Sequence, residues 1–371
     1  MQFRSTTLLT GLVFTGTVLL FQINIVAANH ERSCPPFHGS FVVDYYQVYP
    51  ENADFDFDSC LLYIGLDFLL NWNPTLRNGA DMTSCVWNAT LGIYDPYINK
   101  MLDVVEFPGL SHTGTYHVGG TSVDERTGLL SILANAWEPV VSGGTNLTGD
   151  NFFMQWDPAT KQVLYKINLT ETTEGKYAGF ATIAHDPDDN AYVVGRLPSS
   201  ILKIDKDGKT VTPWYLPQPI IPTNAGTGSI AATGWTLLVS DANSKILKFD
   251  MRKSSGVPVE VPHYPNVNWT FTDSGYIPPR YKGTVYLVAE DLVGIIVLRS
   301  KDGLWNSAEF LGKVLNPIPN SYTTEPLQIG NSLYLVPTDV GNISHINTGP
   351  GTQDKFPFVD ITAQVEALLK A

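Results

Sequence analysis

Cysteine is scarce, with three in 371 residues, so no disulfide lattice can carry the fold and a hydrophobic core must do it. Charge is scarce too. Only 16% of residues are Asp, Glu, Lys or Arg, and the 36 acids outnumber the 23 bases. Without a basic run anywhere, the electrostatic footprint of a nucleic-acid binder is missing. After the first few dozen residues no apolar stretch is long enough to span a bilayer, so no integral membrane segment is expected in the mature chain. A G-x-S-x-G elbow, H-E-x-x-H, a P-loop and an EF-hand-type acidic loop are all lacking, which leaves nucleophilic and zinc hydrolysis without sequence support. Cys-x-x-Cys pairs are absent as well, and no metal site or cofactor is expected.

What is present points to many strands and many turns. Apolar residues make up 43% of the chain and aromatics 11%, alongside 31 Gly and 25 Pro; that is enough to bury a large core and argues against disorder. Residues 1–28 carry one charge, Arg4, then an apolar stretch from Leu8 to Phe21, then Val26-Ala27-Ala28. This is the pattern of a secretory signal peptide. The expected organisation is therefore a leader, 1–28, followed by a single domain, 29–371, secreted, extracellular and monomeric. Export gives meaning to the Asn-x-Ser/Thr sequons at Asn88, Asn146, Asn168, Asn268 and Asn342, which predict glycosylated surface positions. Cys34, Cys60 and Cys85 allow one internal bridge in any of three ways. The preferred pairing is Cys60 with Cys85, stapling an insertion between two early strands, although spacing alone does not choose.

One unit recurs six times. A strand ending in an apolar residue and a turn former appears as Gly92-Ile-Tyr-Asp95, Met154-Gln-Trp-Asp157, Leu202-Lys-Ile-Asp205, Leu247-Lys-Phe-Asp250, Val297-Leu-Arg299 and His345-Ile-Asn347. After a longer first interval, the spacing is roughly 45–49 residues, close to that of a four-stranded propeller blade. Before each landmark comes a near-continuous apolar run, such as Ala191-Tyr-Val-Val, Val285-Tyr-Leu-Val or Leu333-Tyr-Leu-Val. Such runs suit strands buried on both faces. The expected fold is all-β, a six-bladed β-propeller with four-stranded antiparallel blades; a sandwich or jelly roll is the competing arrangement. One amphipathic helix is expected at Ile361 to Lys370.

In a propeller the innermost strands line a central channel, where a site would be built. The segments preceding the apolar runs are Tyr45-Tyr46, Tyr116 to Gly120, Tyr177 to Thr182, Thr227 to Ser229, Asp273 to Tyr276 and Tyr322 to Glu325. They predict an aromatic, hydroxyl-bearing channel mouth with few charges, in which Tyr116, His117, Tyr177, Phe180, Tyr276, Tyr322 and Glu325 contact a small apolar or lipid-like molecule. Channel-plugging tyrosines are the structural alternative. His112 and His117 could both turn inward as bases or ligands, and Glu325 and Asp273 are the acidic channel candidates. Asp241, Glu290, Asp291 and Asp339 read as solvated loop acids.

The leader, the six repeats, Tyr116-His-Val-Gly-Gly120 followed by Asp124 and Gly128, and the I-L-K-hydrophobic-D strands at Ile201 and Ile246 resemble a group of secreted fungal six-bladed propellers. That group includes the major Malassezia allergen and the propeller of the core trichothecene mycotoxin cluster. The resemblance implies a secreted factor linked to mycotoxin production or virulence, with no catalytic set to carry over. The wider superfamily that this group resembles is the gluconolactonase and regucalcin type, calcium-dependent lactonases with Glu, Asn and Asp before Gly at the starts of innermost strands. Here those positions read Ala178-Gly179, Thr227-Gly228 and Ser274-Gly275, without carboxylate or amide. A non-catalytic binder is therefore expected, with a calcium-dependent lactonase or esterase as the alternative.

Overall fold

The computed structural model describes residues 34–46, 48–68, 87–220, 226–241, 243–338 and 353–371. The leader expected at 1–28 and the sequon at Asn342 lie outside them, as does the side chain of Asn88. Six small sheets are formed. Blade 1 runs from its innermost strand Pro50–Asp56 through Leu61–Phe68 and Trp87–Asp95 to Lys100–Glu106. Blade 2 runs from Tyr116–Asp124 to Gln162–Asn168, blade 3 from Ala178–His185 to Val211–Tyr215, and blade 4 from Thr227–Thr233 to Val259–Val261. Blade 5 begins at Thr272–Tyr276 and ends at Ala308–Leu315, with His263–Tyr264 added as a short parallel fifth strand. Innermost strands contact each other in cyclic order, blade 6 meeting blade 1. The chain is a six-bladed β-propeller.

The ring closes through blade 6, which the sequence left open. Tyr322–Ile329, Ser332–Thr338 and Lys355–Asp360 supply three strands, and the fourth is Phe41–Asp44 from the start of the domain. Phe41 stacks on Phe358 with ring centroids 4.9 Å apart, and on Tyr94 of blade 1 at 5.9 Å. The sixth landmark, His345 to Asn347, lies outside the described residues, and Lys355–Asp360 occupies the third-strand place in that blade.

The core is not one mass but six slabs, one between each pair of successive blades. A middle strand feeds two of them by alternation, since neighbouring side chains point to opposite faces. In blade 5, Val285, Leu287 and Ala289 enter the slab shared with blade 6, while Tyr286 and Val288 enter the slab shared with blade 4. That is why these strands are apolar at every position rather than every second one. The landmark Asp has an equally local cause: Asp95, Asp157 and Asp250 each accept the N–H two residues on, at 2.9, 2.9 and 3.1 Å. This Asx turn folds the third strand back into the fourth.

The C-terminal helix is Thr362–Lys370. Its Val365 is buried and Leu368 and Leu369 pack on the slab between blades 5 and 6. Arg299 donates to the carbonyl of Leu369 at 2.9 Å, covering the helix end. The disulfide joins Cys34 to Cys60, not Cys60 to Cys85. It ties the segment leading into the closing strand to the first hairpin of blade 1. Cys85 lies outside the described residues. Among the described residues no helix is long and apolar enough to cross a membrane.

Candidate functional site at the channel mouth

The channel end where the innermost strands begin is more polar than its sequence suggested. Tyr45-Tyr46 is not part of it, because the innermost strand of blade 1 is Pro50–Asp56, and this places Glu51 there instead. A cavity of about 240 Å³ is lined by Glu51, His117, Asn135 and Arg196 with Phe180 and Leu197. Asn135, on the second strand of blade 2, donates from Nδ2 to the carbonyl of Phe180 at 2.6 Å, joining blades 2 and 3. Its Oδ1 is buried and has no hydrogen-bond partner among the described residues. Gly119 makes room for this arrangement: a Cβ there would sit 2.4 Å from Asn135 Nδ2 and 3.1 Å from His117 Nε2.

Arg196 anchors the charges. It pairs with Asp273 of blade 5 at 3.0 Å and donates to the Thr272 carbonyl at 3.0 Å. Burial pushes Asp273 up to about 8, with Asp291 and Glu51 adding to the rise and Arg196 opposing it. Burial likewise raises Asp291 to about 6, again against Arg196. His117 is buried, its ring edge-on to Trp137 with centroids 5.2 Å apart, and burial holds its pKa below the usual imidazole value. Asp291 itself sits in a turn and is partly buried rather than fully solvated. Glu290 is buried too, accepting from Thr270 N–H at 3.0 Å and pairing with Lys313 at 2.5 Å.

The expected contact residues divide. His117 and Phe180 line this cavity. Tyr177 is buried in the slab between blades 2 and 3, and Tyr116 packs edge-on against Phe152. Tyr322 starts the innermost strand of blade 6, where burial and Asp291 raise its hydroxyl pKa. Tyr276 and Glu325 face a different cavity, toward the other end of the channel. His112 does not join His117: it is exposed and pairs with Glu106 at 2.8 Å. Hydroxyl groups expected at the mouth tie blades 4 and 5 instead, with Ser229 Oγ 2.6 Å from Ser240 Oγ and 2.5 Å from Tyr286 Oη.

Among the described residues no three His, Cys, Asp or Glu side chains form a group that could hold a metal ion, and Gly228 and Gly275 are there for packing. A Cβ on Gly228 would lie 1.9 Å from the Thr272 carbonyl, and one on Gly275 would lie 2.5 Å from Tyr286 Oη.

No protein-family model matches the chain. Over 358 residues, 91% of this chain and 92% of its relative, it is 33% identical to trichothecene biosynthesis protein 14 of Trichoderma arundinaceum. It is 30% identical over 356 residues, 91% and 88% of the two chains, to core trichothecene cluster protein 14 of Fusarium sporotrichioides. The chain belongs to the trichothecene cluster protein 14 family. Solved structures share the fold of this family member. The major Malassezia sympodialis allergen Mala s 1 superposes with a TM-score of 0.72 at 18% identity, covering 88% of this chain and 96% of that one. A luciferin-regenerating enzyme gives 0.53 at 13% identity, covering 87% and 95%.

Glu51 and Arg196 are the residues of the family member's mouth that sequence reading missed. Glu51 follows Pro50 in a segment with no apolar alternation, and Arg196 ends an apolar run and so resembled a solvated strand terminus. The remaining sequons differ in setting. Asn268 is exposed, whereas Asn168 caps a short helix, accepting from the N–H groups of Thr170 and Glu171. Asn146 donates to Glu138 at 2.9 Å.

Proposed function

We propose that this protein is an exported, monomeric propeller that binds a small, mainly apolar molecule carrying a few oxygens, in the service of trichothecene production. The observation that carries the reading is the Asn135 carboxamide. Its Oδ1 lies buried and unpartnered among the described residues, in a cavity whose other walls are Phe180 and Leu197 on the apolar side and Arg196 on the donor side. A buried acceptor without a partner costs about 1–3 kcal/mol, which a ligand hydroxyl would recover. The names of the relatives supply the biosynthetic context. The sequence of the leader and the Cys34–Cys60 bridge support an oxidising, extracytoplasmic destination.

Equilibrium binding of a panel of oxygenated terpenoids and of lipids to the purified protein tests this. Saturable binding of an oxygenated terpenoid is expected, weakened by Asn135→Ser and blocked by Val140→Trp at the cavity rim. Absence of saturation across the panel would sink the reading.

A second reading, acid–base turnover of the bound molecule, draws on Asp273 and Asp291, held at about 8 and about 6 beside Arg196. Carboxyls poised near neutrality can exchange protons with a ligand that reaches them. Product formation from a bound member of the panel, lost in Asp273→Asn, distinguishes it from binding alone.

A further inference from the structure

The channel has a second cavity, of about 340 Å³, where the innermost strands finish. Asn52, Asp54 and Glu325 are among its lining residues, with Thr182, Ile183, Ile230, Tyr276 and Ile277 contributed by successive blades. Asp54 accepts the N–H groups of Val123 and Phe55, both at 2.8 Å. Glu325 accepts the Ala53 N–H at 2.5 Å. Among the described residues neither carboxylate forms an ion pair.

The cations around them do not offset this charge. Arg126 is committed to Asp124 at 3.0 Å and Asp189 at 2.7 Å. His185 contacts Ser131 Oγ through Nε2 at 2.9 Å, and burial disfavours its protonated form. Only Lys282, which is exposed, remains among the basic side chains lining the cavity. An independent feature points to a missing occupant. Thr182 lines the cavity, is 5% exposed, and its hydroxyl has no hydrogen-bond partner among the described residues. Burial lifts Asp54 to about 7 and Glu325 well above the carboxylate range, as expected of acids kept from water with no cation beside them.

We propose that this cavity is a second binding site, distinct from the mouth described above, for a compact organic ammonium ion. Its charged head rests on Asp54 and Glu325, with the Thr182 hydroxyl as a further acceptor. Its hydrocarbon body lies against Ile183, Ile230 and Ile277, and the Tyr276 ring offers a π face to the cation. A metal ion is disfavoured, because each acid already accepts from the backbone and, among the described residues, no three His, Cys, Asp or Glu side chains group as ligands. The volume is near the lower end of small-molecule pockets, roughly 300–1,000 Å³.

Isothermal titration of the purified full-length mature chain with cyclohexylammonium, and with cyclohexanol as its neutral isostere, tests the assignment. The ammonium is expected to bind saturably, and the alcohol about tenfold more weakly or worse, since a charge-assisted hydrogen bond is stronger than a neutral one. Asp54→Asn keeps an acceptor for Val123 and gives up the one for Phe55; with folding confirmed by a cooperative thermal transition, it should weaken the ammonium about tenfold. Lys282→Gln removes the basic side chain that, among the described residues lining the cavity, has no ion pair, and should tighten it. Equal affinity for alcohol and ammonium, no saturable heat, or a folded Asp54→Asn with unchanged affinity would each overturn the proposal.

Discussion

Arg196 of blade 3 reaches past blade 4 to Asp273 of blade 5, its Nη1 donating to Oδ1 at 3.0 Å while Nη2 donates to the Thr272 carbonyl at 3.0 Å. One guanidinium thus spans three blades at the axis and faces a cavity that opens to solvent. Removing it by Arg196→Met should strand Asp273 among Asp291 and Glu51. Above pH 8, where Asp273 is ionised, breaking a largely buried pair costs about 3 kcal/mol or more, and the loss should shrink when Asp273→Asn is made in the same chain. Chemical denaturation of the two single variants and the double variant measures that coupling; additive losses would show that the pair contributes nothing of its own.

Stability should fall between pH 6.5 and 8. Asp54 and Asp273 hold protons in the folded chain up to about 7 and about 8, whereas in the unfolded chain they are already ionised above about 4. The folded state therefore binds more protons in this window, and stability declines as pH rises through those values. His117 and His185 act with the opposite sign, because burial keeps them neutral in the fold and stability is lost as pH drops below about 6.5. Thermal midpoints at pH 6.5 and 8 should differ, and Asp54→Asn should flatten the slope; a rise toward pH 8 contradicts the assignment.

The disulfide predicts a defined peptide map. Digestion without reduction should yield a Cys34–Cys60 cross-linked pair, and a Cys60–Cys85 pair would contradict the structure. Cys60→Ser opens a link across 26 residues of sequence, which by loop entropy costs about 3 kcal/mol.

Asn168 and Asn268 should behave differently on substitution. Asn168→Ala removes a helix cap and two donations to Asp150 and Glu171 at 3.1 and 3.3 Å, at a cost of about 1 kcal/mol. Asn268→Gln, at an exposed position, should leave the unfolding midpoint unchanged and instead remove a glycan in secreted material. Mass spectrometry of the two variants from a glycosylating host separates the roles.

Much of the architecture could be read from particular residues. The Asp at 95, 157 and 250 marked third strands because an Asx turn is a local event, complete within a few residues. Runs such as Val285 to Ala289 announced strands covered on both faces. The site was harder to read. Phe180 and His117 were found because their strands were found, but Tyr276 and Glu325 belong to the opposite cavity, since a short innermost strand carries its first and last residues to different ends of the channel. Glu290 looked like a loop acid, yet it ends a middle strand and is buried against Thr270 and Lys313 of its own blade.

The sequence by itself determined the repeat, the alternating burial that builds six slabs, the turn chemistry and the C-terminal helix, because each follows from contacts within one blade or from the period of apolar residues. Tertiary structure alone decided the closure through Phe41–Asp44, the Cys34–Cys60 pairing, the Arg196–Asp273 bridge and the division of the channel into two chemically different cavities. These join residues as far as some 300 positions apart, around a ring whose circumference no local pattern encodes. Which charges meet at the axis depends on where six separate strands converge.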